Sequence, residues 1–173
     1  MTFSLHAATV PGYRQMLGSL AGLLDKAESW CGERGIAPAN IIGARLAADM
    51  HPFSYQVKSA VVHSVGAIAG ARQGSFSPDT SPPPETFAAL KARVAAALAT
   101  LAAIEPGTVD GLIGKDVRFS IGERGIDFTA EDFLLSFSQP NFYFHVTTAY
   151  AILRANGLPI GKRDYLGAWR KKA

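Results

Sequence analysis

Four long stretches of this 173-residue chain repeat apolar residues at spacings of three and four, and this repeat constrains the fold more than any other feature. The spacing gives each helix one apolar stripe, which must be buried against other helices. The pattern predicts helices over about residues 10–31, 52–71, 84–105 and 140–155. Four amphipathic helices of this length predict an all-α protein that forms a four-helix bundle.

Proline residues help to set the predicted helix ends. Pro11 and Pro52 both suit the first turn of a helix, where a missing N–H costs nothing. A short helix is expected over residues 130–137, and Ser138-Gln139-Pro140 is expected to break it before the fourth long helix begins.

Two connections have distinctive sequences. Residues 73–84, QGSFSPDTSPPP, predict a long surface crossover between the second and third helices. Alternation over residues 117–121 and 126–128, on either side of Gly122-Glu123-Arg124-Gly125, predicts a small β-hairpin before the fourth helix. The tail over 158–173 is expected to lie against the surface. A chain of this length is expected to form a single domain, over residues 1–173.

The net charge of +3 is too small to indicate a nucleic-acid partner, since proteins that bind nucleic acids cluster many basic residues on one face. The basic run Arg170-Lys171-Lys172 is typical of a frayed, solvated tail.

The single cysteine, Cys31, lies on the apolar stripe of the first helix and is expected to be buried and inert. A lone cysteine, the absence of a secretory signal pattern at the N-terminus and the lack of an apolar run of ~18 residues predict a cytoplasmic protein without a membrane partner.

A histidine on the fourth helix, His145, is the main candidate for chemistry. Asn141 lies four residues before it and Thr148 three residues after it, so the three polar groups follow one edge of the apolar stripe. A histidine in this position can bind a metal or transfer a proton. It can equally be a core-edge histidine whose hydrogen bonds are satisfied by Asn141, Thr148 or water, and the pattern favours this second interpretation.

The second helix contributes two further histidines. His51 and His63 lie ~18 Å apart along an ideal helix and on different faces, so at most one of them can meet His145. Gln56, Ser59 and His63 form a small polar face beside glycine and alanine residues, which can also indicate the close approach of another helix or subunit.

A catalytic zinc site usually has three protein ligands, and the sequence contains neither an HxxxH nor an HExxH pattern. Asp49, beside His51, is a possible third ligand, although a helix cap is the commoner role for such a residue.

The segments PNFYFHVTTAYAILRANGLPIGKRDYLG (140–167) and RLAADMHPFSYQV (45–57) resemble an uncharacterised bacterial and fungal family of the DinB/YfiT-like helical-bundle superfamily. The resemblance covers essentially the whole chain. It implies a four-helix bundle with a long crossover between helices two and three, often dimeric. Many members bind a divalent metal through one histidine on helix two and two on helix four, and some are thiol-dependent transferases.

Carried over to this sequence, the resemblance assigns metal-ligand positions to His51 and His145, but the third position is Ala149, which cannot bind a metal. We therefore expect a homodimeric module that binds a small molecule or partner without an intact metal triad. The candidate binding residues are His145, Asn141, Thr148, Gln56 and His63. The alternative is a metal-dependent transferase or hydrolase, thiol-linked or not, that holds Zn, Ni or Mn at His145 and a helix-two histidine.

Overall fold

The computed structural model describes residues 3–172, which are mostly helical with one small sheet. The helices are α1 (Leu5–Arg34), α2 (Pro38–Ile42), α3 (Phe53–Val61), α4 (Ala67–Gln73), α5 (Phe87–Ala102), α6 (Pro106–Asp110), α7 (Ala130–Asp132), α8 (Gln139–Ala155) and α9 (Lys162–Leu166). Two π-helical segments, Val62–Gly66 and Phe133–Ser138, join α3 to α4 and α7 to α8.

The core lies between α1, α3, α5 and α8. Helix α1 packs against α5 and α8, and α3 packs against the same two helices on its side of the core. Their apolar stripes are buried, as the three-and-four spacing requires. The mostly helical prediction is confirmed, but a three-stranded sheet adds to the predicted all-α class.

The sheet consists of β1 (Ser75–Phe76), β2 (Asp116–Ile121) and β3 (Arg124–Thr129) in that order. Strands β2 and β3 form the predicted hairpin, and Gly122 has the positive φ of 57° that a tight turn requires. Strand β1 pairs with β2 in parallel and was not predicted, because a two-residue strand has no alternation to detect.

Helix α1 begins earlier than predicted, and Pro11 lies inside it rather than in its first turn. Ser4 caps the helix by accepting a hydrogen bond from the N–H of Ala7 at 3.1 Å. Asp110 of α6 also accepts a hydrogen bond from the N–H of His6 at 2.9 Å. These two acceptors satisfy two of the free N–H groups in the first turn of the helix. Their hydrogen bonds offset the one that Pro11 cannot donate further along the helix.

The predicted break at Ser138-Gln139-Pro140 is wrong, because the chain stays helical from α7 to α8. Pro140 cannot donate to the carbonyl four residues earlier, and its ring would clash with that carbonyl in an α-helix. The preceding residues widen into a π-helical segment and the helix continues.

The crossover after α4 is anchored rather than loose. The ammonium group of Lys58, whose side chain is 1% exposed, donates to the carbonyl oxygens of Asp79 (2.7 Å) and Ser81 and pairs with the Asp79 carboxylate at 3.2 Å. Arg93 of α5 holds the other oxygen of that carboxylate at 3.0 Å. Burial alone would raise the pKa of Asp79, but hydrogen bonds from Ser81 and Lys58 lower it well below its usual value.

The predicted tail contains the additional helix α9, which packs against α1; residue 173 lies outside the described residues. Within residues 3–172, no helix combines the length and apolar character needed to cross a membrane.

Candidate functional site

His63 and His145 meet between the second and fourth long helices. Their rings are stacked, with centroids 5.7 Å apart and an angle of 20° between the planes. His63 belongs to the π-helical segment after α3, and His145 lies in the middle of α8. The structure thus brings two of the predicted site residues into direct contact.

Gln56 fixes the tautomer of His145, that is, which ring nitrogen carries the proton. Oε1 of Gln56 lies 2.7 Å from Nδ1 of His145, and Nε2 of Gln56 donates to the carbonyl oxygen of His51 at 2.9 Å. The second bond fixes the amide so that its oxygen faces the imidazole. Because that oxygen can only accept, Nδ1 of His145 carries the proton and Nε2 presents a lone pair.

Ser138 plays the same part for His63. Its hydroxyl donates to the backbone carbonyl of His63 at 3.0 Å, and the same oxygen lies 3.4 Å from Nδ1 of His63. Since the hydroxyl proton is used by the carbonyl, the serine oxygen accepts from Nδ1–H. His63 therefore has the same tautomer as His145, with an unprotonated Nε2.

Two π-helical segments meet at this contact, because His63 belongs to the first and Ser138 ends the second. π-Helical turns are rare and occur frequently at functional sites. The sequence analysis missed Ser138 as a site residue, although Pro140 close behind it was a signal of distorted helix geometry.

Both imidazoles are neutral at physiological pH. Burial lowers the pKa of His63 to about 4. Burial also lowers the pKa of His145 to about 4, and the positive charges that His63 and His51 can carry contribute further. The nitrogen lone pairs are consequently available to a ligand over the whole physiological range.

His51, the residue that the resemblance assigned to the helix-two position, lies just before α3 and is exposed. Its ring stacks on Tyr55 at 3.8 Å between centroids, and Tyr55 contacts His145 edge-on at 6.1 Å. His63, rather than His51, is the helix-two histidine that stacks directly on His145. Tyr55 was not predicted as a site residue.

The remaining predicted residues lie around this pair. Asn141 donates from its Nδ2 to the carbonyl of Phe137 at 2.7 Å and forms no hydrogen bond with His145. Thr148 is buried next to a groove described below, and Ser59 is buried in α3. Gly70 is one of the small residues beside this polar face. A Cβ there would lie 2.9 Å from the ring of Phe76, so contact within the chain accounts for a glycine without a second subunit.

An aromatic cluster packs behind His63. The rings of Phe76 and Phe137 lie 5.6 and 5.9 Å from the imidazole, and Phe119 contacts both phenylalanines. These rings exclude water from one side of His63, which accounts for the lowered pKa of its imidazole.

The residues at the pair do not form a three-ligand metal site. Ala149 is fully buried at the position where the resemblance expects a ligand. Within residues 3–172, no three or more His, Cys, Asp or Glu side chains are grouped so as to hold a metal ion. Asp49, the other suggested ligand, is exposed and belongs to no such group.

Comparisons with known proteins identify the family of this chain. Residues 5–166 match the family described as Domain of unknown function (DUF1993). A crystal structure of a DinB family member from Shewanella denitrificans is similar over 98% of this chain and 95% of that protein, with 31% sequence identity and a TM-score of 0.83. No curated protein matches the sequence significantly. The chain therefore belongs to the DUF1993 family, within the DinB-like superfamily.

Proposed function

We propose that this protein is a binding module whose small organic ligand donates hydrogen bonds to His63 and His145. The observation that carries the proposal is that Nδ1 of His63 lies 3.4 Å from Oγ of Ser138 and Nδ1 of His145 lies 2.7 Å from Oε1 of Gln56, from which we infer that both Nδ1–H groups are used within the protein. Each ring then offers an unprotonated Nε2 that can accept from an amide, hydroxyl or ammonium group. Two such acceptors side by side suit a ligand that carries a primary amide or amine.

A binding role agrees better than acid–base catalysis with the electrostatics of the pair. A general base works best when its pKa is near the operating pH. Imidazoles whose pKa is about 4 are weak bases at neutral pH but remain good hydrogen-bond acceptors.

An apolar groove along α8, the helix that carries His145, supports an organic ligand. The groove has a volume of about 420 Å³ and runs between α8 and the loop before α3; neither imidazole lines it, and we place only the apolar part of the ligand there. Its walls include Leu46 from that loop. They also include Phe144 and Thr148, which lie one residue before and three residues after His145 in the sequence. Ligand sites for small molecules usually have volumes of roughly 300–1,000 Å³ and mainly apolar walls.

The alternative, a metal-dependent transferase or hydrolase, has less support. Catalytic zinc usually takes three protein ligands, and here two neutral imidazoles adjoin a buried alanine. A metal on His63 and His145 would need further donors from solvent or substrate.

We also infer that the module is a homodimer. The support is the family resemblance together with two large apolar side chains at the rim of the groove, Leu46 (46% exposed) and Phe144 (55% exposed). A second copy packed on this rim would bury both side chains and close the groove over its ligand. Sedimentation equilibrium tests this inference, since a protein that stays monomeric at high concentration contradicts it.

The ligand proposal is tested by ¹⁵N NMR of histidine-labelled protein during titration with benzamide and benzylamine. Without a probe, both rings should show the Nδ1–H tautomer, and a bound probe should shift both Nε2 resonances. His145→Phe should abolish the shift of the remaining His63 Nε2 resonance, whereas the matched variant His6→Phe in α1 should keep both shifts. Nε2–H tautomers in the free protein, or shifts that survive in His145→Phe, contradict the proposal. Stoichiometric Zn²⁺ binding that is lost in His145→Ala would instead favour the metal enzyme.

A further inference from the structure

The positive charge of this protein is concentrated at its C-terminal end. Residues 162–172, here called the C-terminal segment, contain five basic side chains and one acidic side chain, a net charge of +4. The whole chain has a net charge of +3, so everything outside this segment sums to −1. The basic character of the sequence is therefore a local property, and a cleft lined by charges of one sign concentrates ligands of the opposite sign.

The first part of this segment is fixed in position. Ser19 of α1 hydrogen-bonds the carbonyl oxygens of Asp164 and Tyr165, both at 2.6 Å, and Gln15 donates to that of Leu166 at 2.9 Å. Asp164 pairs with Lys26 of α1. The predicted solvated tail thus emerges from an anchored helix, and its later residues fold back beside α9.

A concave surface results from this return of the chain. It has a volume of about 810 Å³ and is lined by Lys162, Arg163, Leu166, Gly167, Ala168, Trp169 and Lys171. We call it the C-terminal groove.

The side chains of the groove are available to a ligand. Among residues 3–172, Lys162, Arg163 and Lys171 form no ion pair with a carboxylate. The only acidic residue of the segment, Asp164, is already neutralised by Lys26. Trp169 is 58% exposed, and the Nζ of Lys171 lies 5.8 Å from the centre of its ring.

We propose that the C-terminal groove binds an organic phosphate with a planar ring, that is, a ligand of the nucleotide class. Lys162 and Arg163 would hold the phosphate, since guanidinium and ammonium groups form strong charge-assisted hydrogen bonds to its oxygens. Trp169 would stack on the ring. The cations lie in a concave surface beside the indole, which suits a compact ligand better than the broad surface of a membrane.

Isothermal titration calorimetry at fixed ionic strength tests this proposal with ATP, AMP and pyrophosphate as probes. We expect saturable binding of ATP to the full chain. Lys162→Ala and Arg163→Ala should each weaken ATP and pyrophosphate about tenfold, which is typical of a lost charge-assisted contact. The matched control Lys172→Ala removes the same charge from a residue outside the groove lining and should change ATP affinity less than about twofold.

Trp169→Ala separates the ring contact from the charge contact. It should weaken ATP and AMP but leave pyrophosphate binding unchanged. Equal losses in Lys162→Ala and Lys172→Ala would show general electrostatic attraction and overturn the proposal. It is also overturned if pyrophosphate binds as tightly as ATP, if ATP does not bind, or if only oligonucleotides or anionic lipid vesicles bind.

Discussion

Oε1 of Gln56 lies 2.7 Å from Nδ1 of His145, and this contact determines which nitrogen of a largely buried imidazole carries the proton. The Gln56 amide cannot turn over without losing both this bond and the one to the carbonyl of His51. A neutral side chain thereby orients His145 without raising its pKa, as a carboxylate in the same place would.

Replacing this amide by a carboxylate should change the titration of His145. Gln56→Glu introduces a negative charge next to the imidazole, which favours its protonated form. We expect the pKa of His145 to rise from about 4 by about one to three units. Histidine NMR resonances followed against pH measure the change. Gln15→Glu, which adds the same charge beside α9, should leave His145 as it is, and an unchanged pKa in Gln56→Glu contradicts our account of the contact.

Stability should fall as the pH falls from about 6.5 to about 4. The pKa values of His63 and His145 are lower in the folded protein than in the unfolded chain. The unfolded state therefore binds more protons in this interval, and each histidine can cost at most about 3 kcal/mol. Urea unfolding at pH 7 and 4.5 measures the loss. His63→Asn should reduce it, whereas His6→Asn should not, and a stability that is flat across this interval would refute the expectation.

The buried ammonium of Lys58 should be needed to hold the crossover after α4. Lys58→Met leaves the carboxylate and carbonyl of Asp79 and the carbonyl of Ser81 without this donor. The loss should cost about 1–3 kcal/mol, as for buried polar groups left without a partner, because the Asp79 carboxylate is 29% exposed and keeps its ion pair with Arg93. Chemical denaturation measures the free energy, and hydrogen exchange should show faster opening of the crossover.

Lys91→Met is the matched control for this experiment. It removes a lysine that pairs with Asp25 and Glu28 at the surface, where an ion pair contributes about 0–1 kcal/mol. Comparable losses in the two variants would show that burial of Lys58 adds nothing.

The attachment of α9 to α1 should depend on a glycine. Gly167 has a φ of 61°, and a Cβ there would lie 3.1 Å from Cβ of Ser19. Gly167→Ala should therefore destabilise the protein by about 1–2 kcal/mol and loosen α9. Gly161→Ala, at a residue with extended backbone and open space, should have a much smaller effect. Thermal unfolding and hydrogen exchange of residues 162–166 distinguish the two, and equal effects contradict the steric argument.

The fold was predictable where local pattern and tertiary structure agree. The hairpin was predicted because its alternation and its turn glycine both lie within a few residues of each other. The crossover was not predicted to be ordered, because its anchor, Lys58, lies on a helix about twenty residues away. A lysine on a helix is usually solvated, so nothing in the local sequence indicated its burial.

The histidine site was predictable only in part. The apolar stripe placed His145 at the edge of the core, and helix geometry limited it to one partner from helix two. Which partner it meets depends on how the helices pack, and the tautomers depend on Gln56 and Ser138, which are distant in sequence from the rings they contact. Hydrogen bonds between side chains on different helices leave no periodic signal.

The π-helical segments have a consequence for comparing this chain with its relatives. A π turn holds one residue more than an α turn, so it behaves as a one-residue insertion within a continuous helix. Deleting a single residue between Phe133 and Ser138 would restore regular α geometry and leave α8, with His145, in the same orientation. A relative that lacks this π turn needs a one-residue gap here. Aligned without the gap, the residue placed opposite His145 lies about 100° away around the helix.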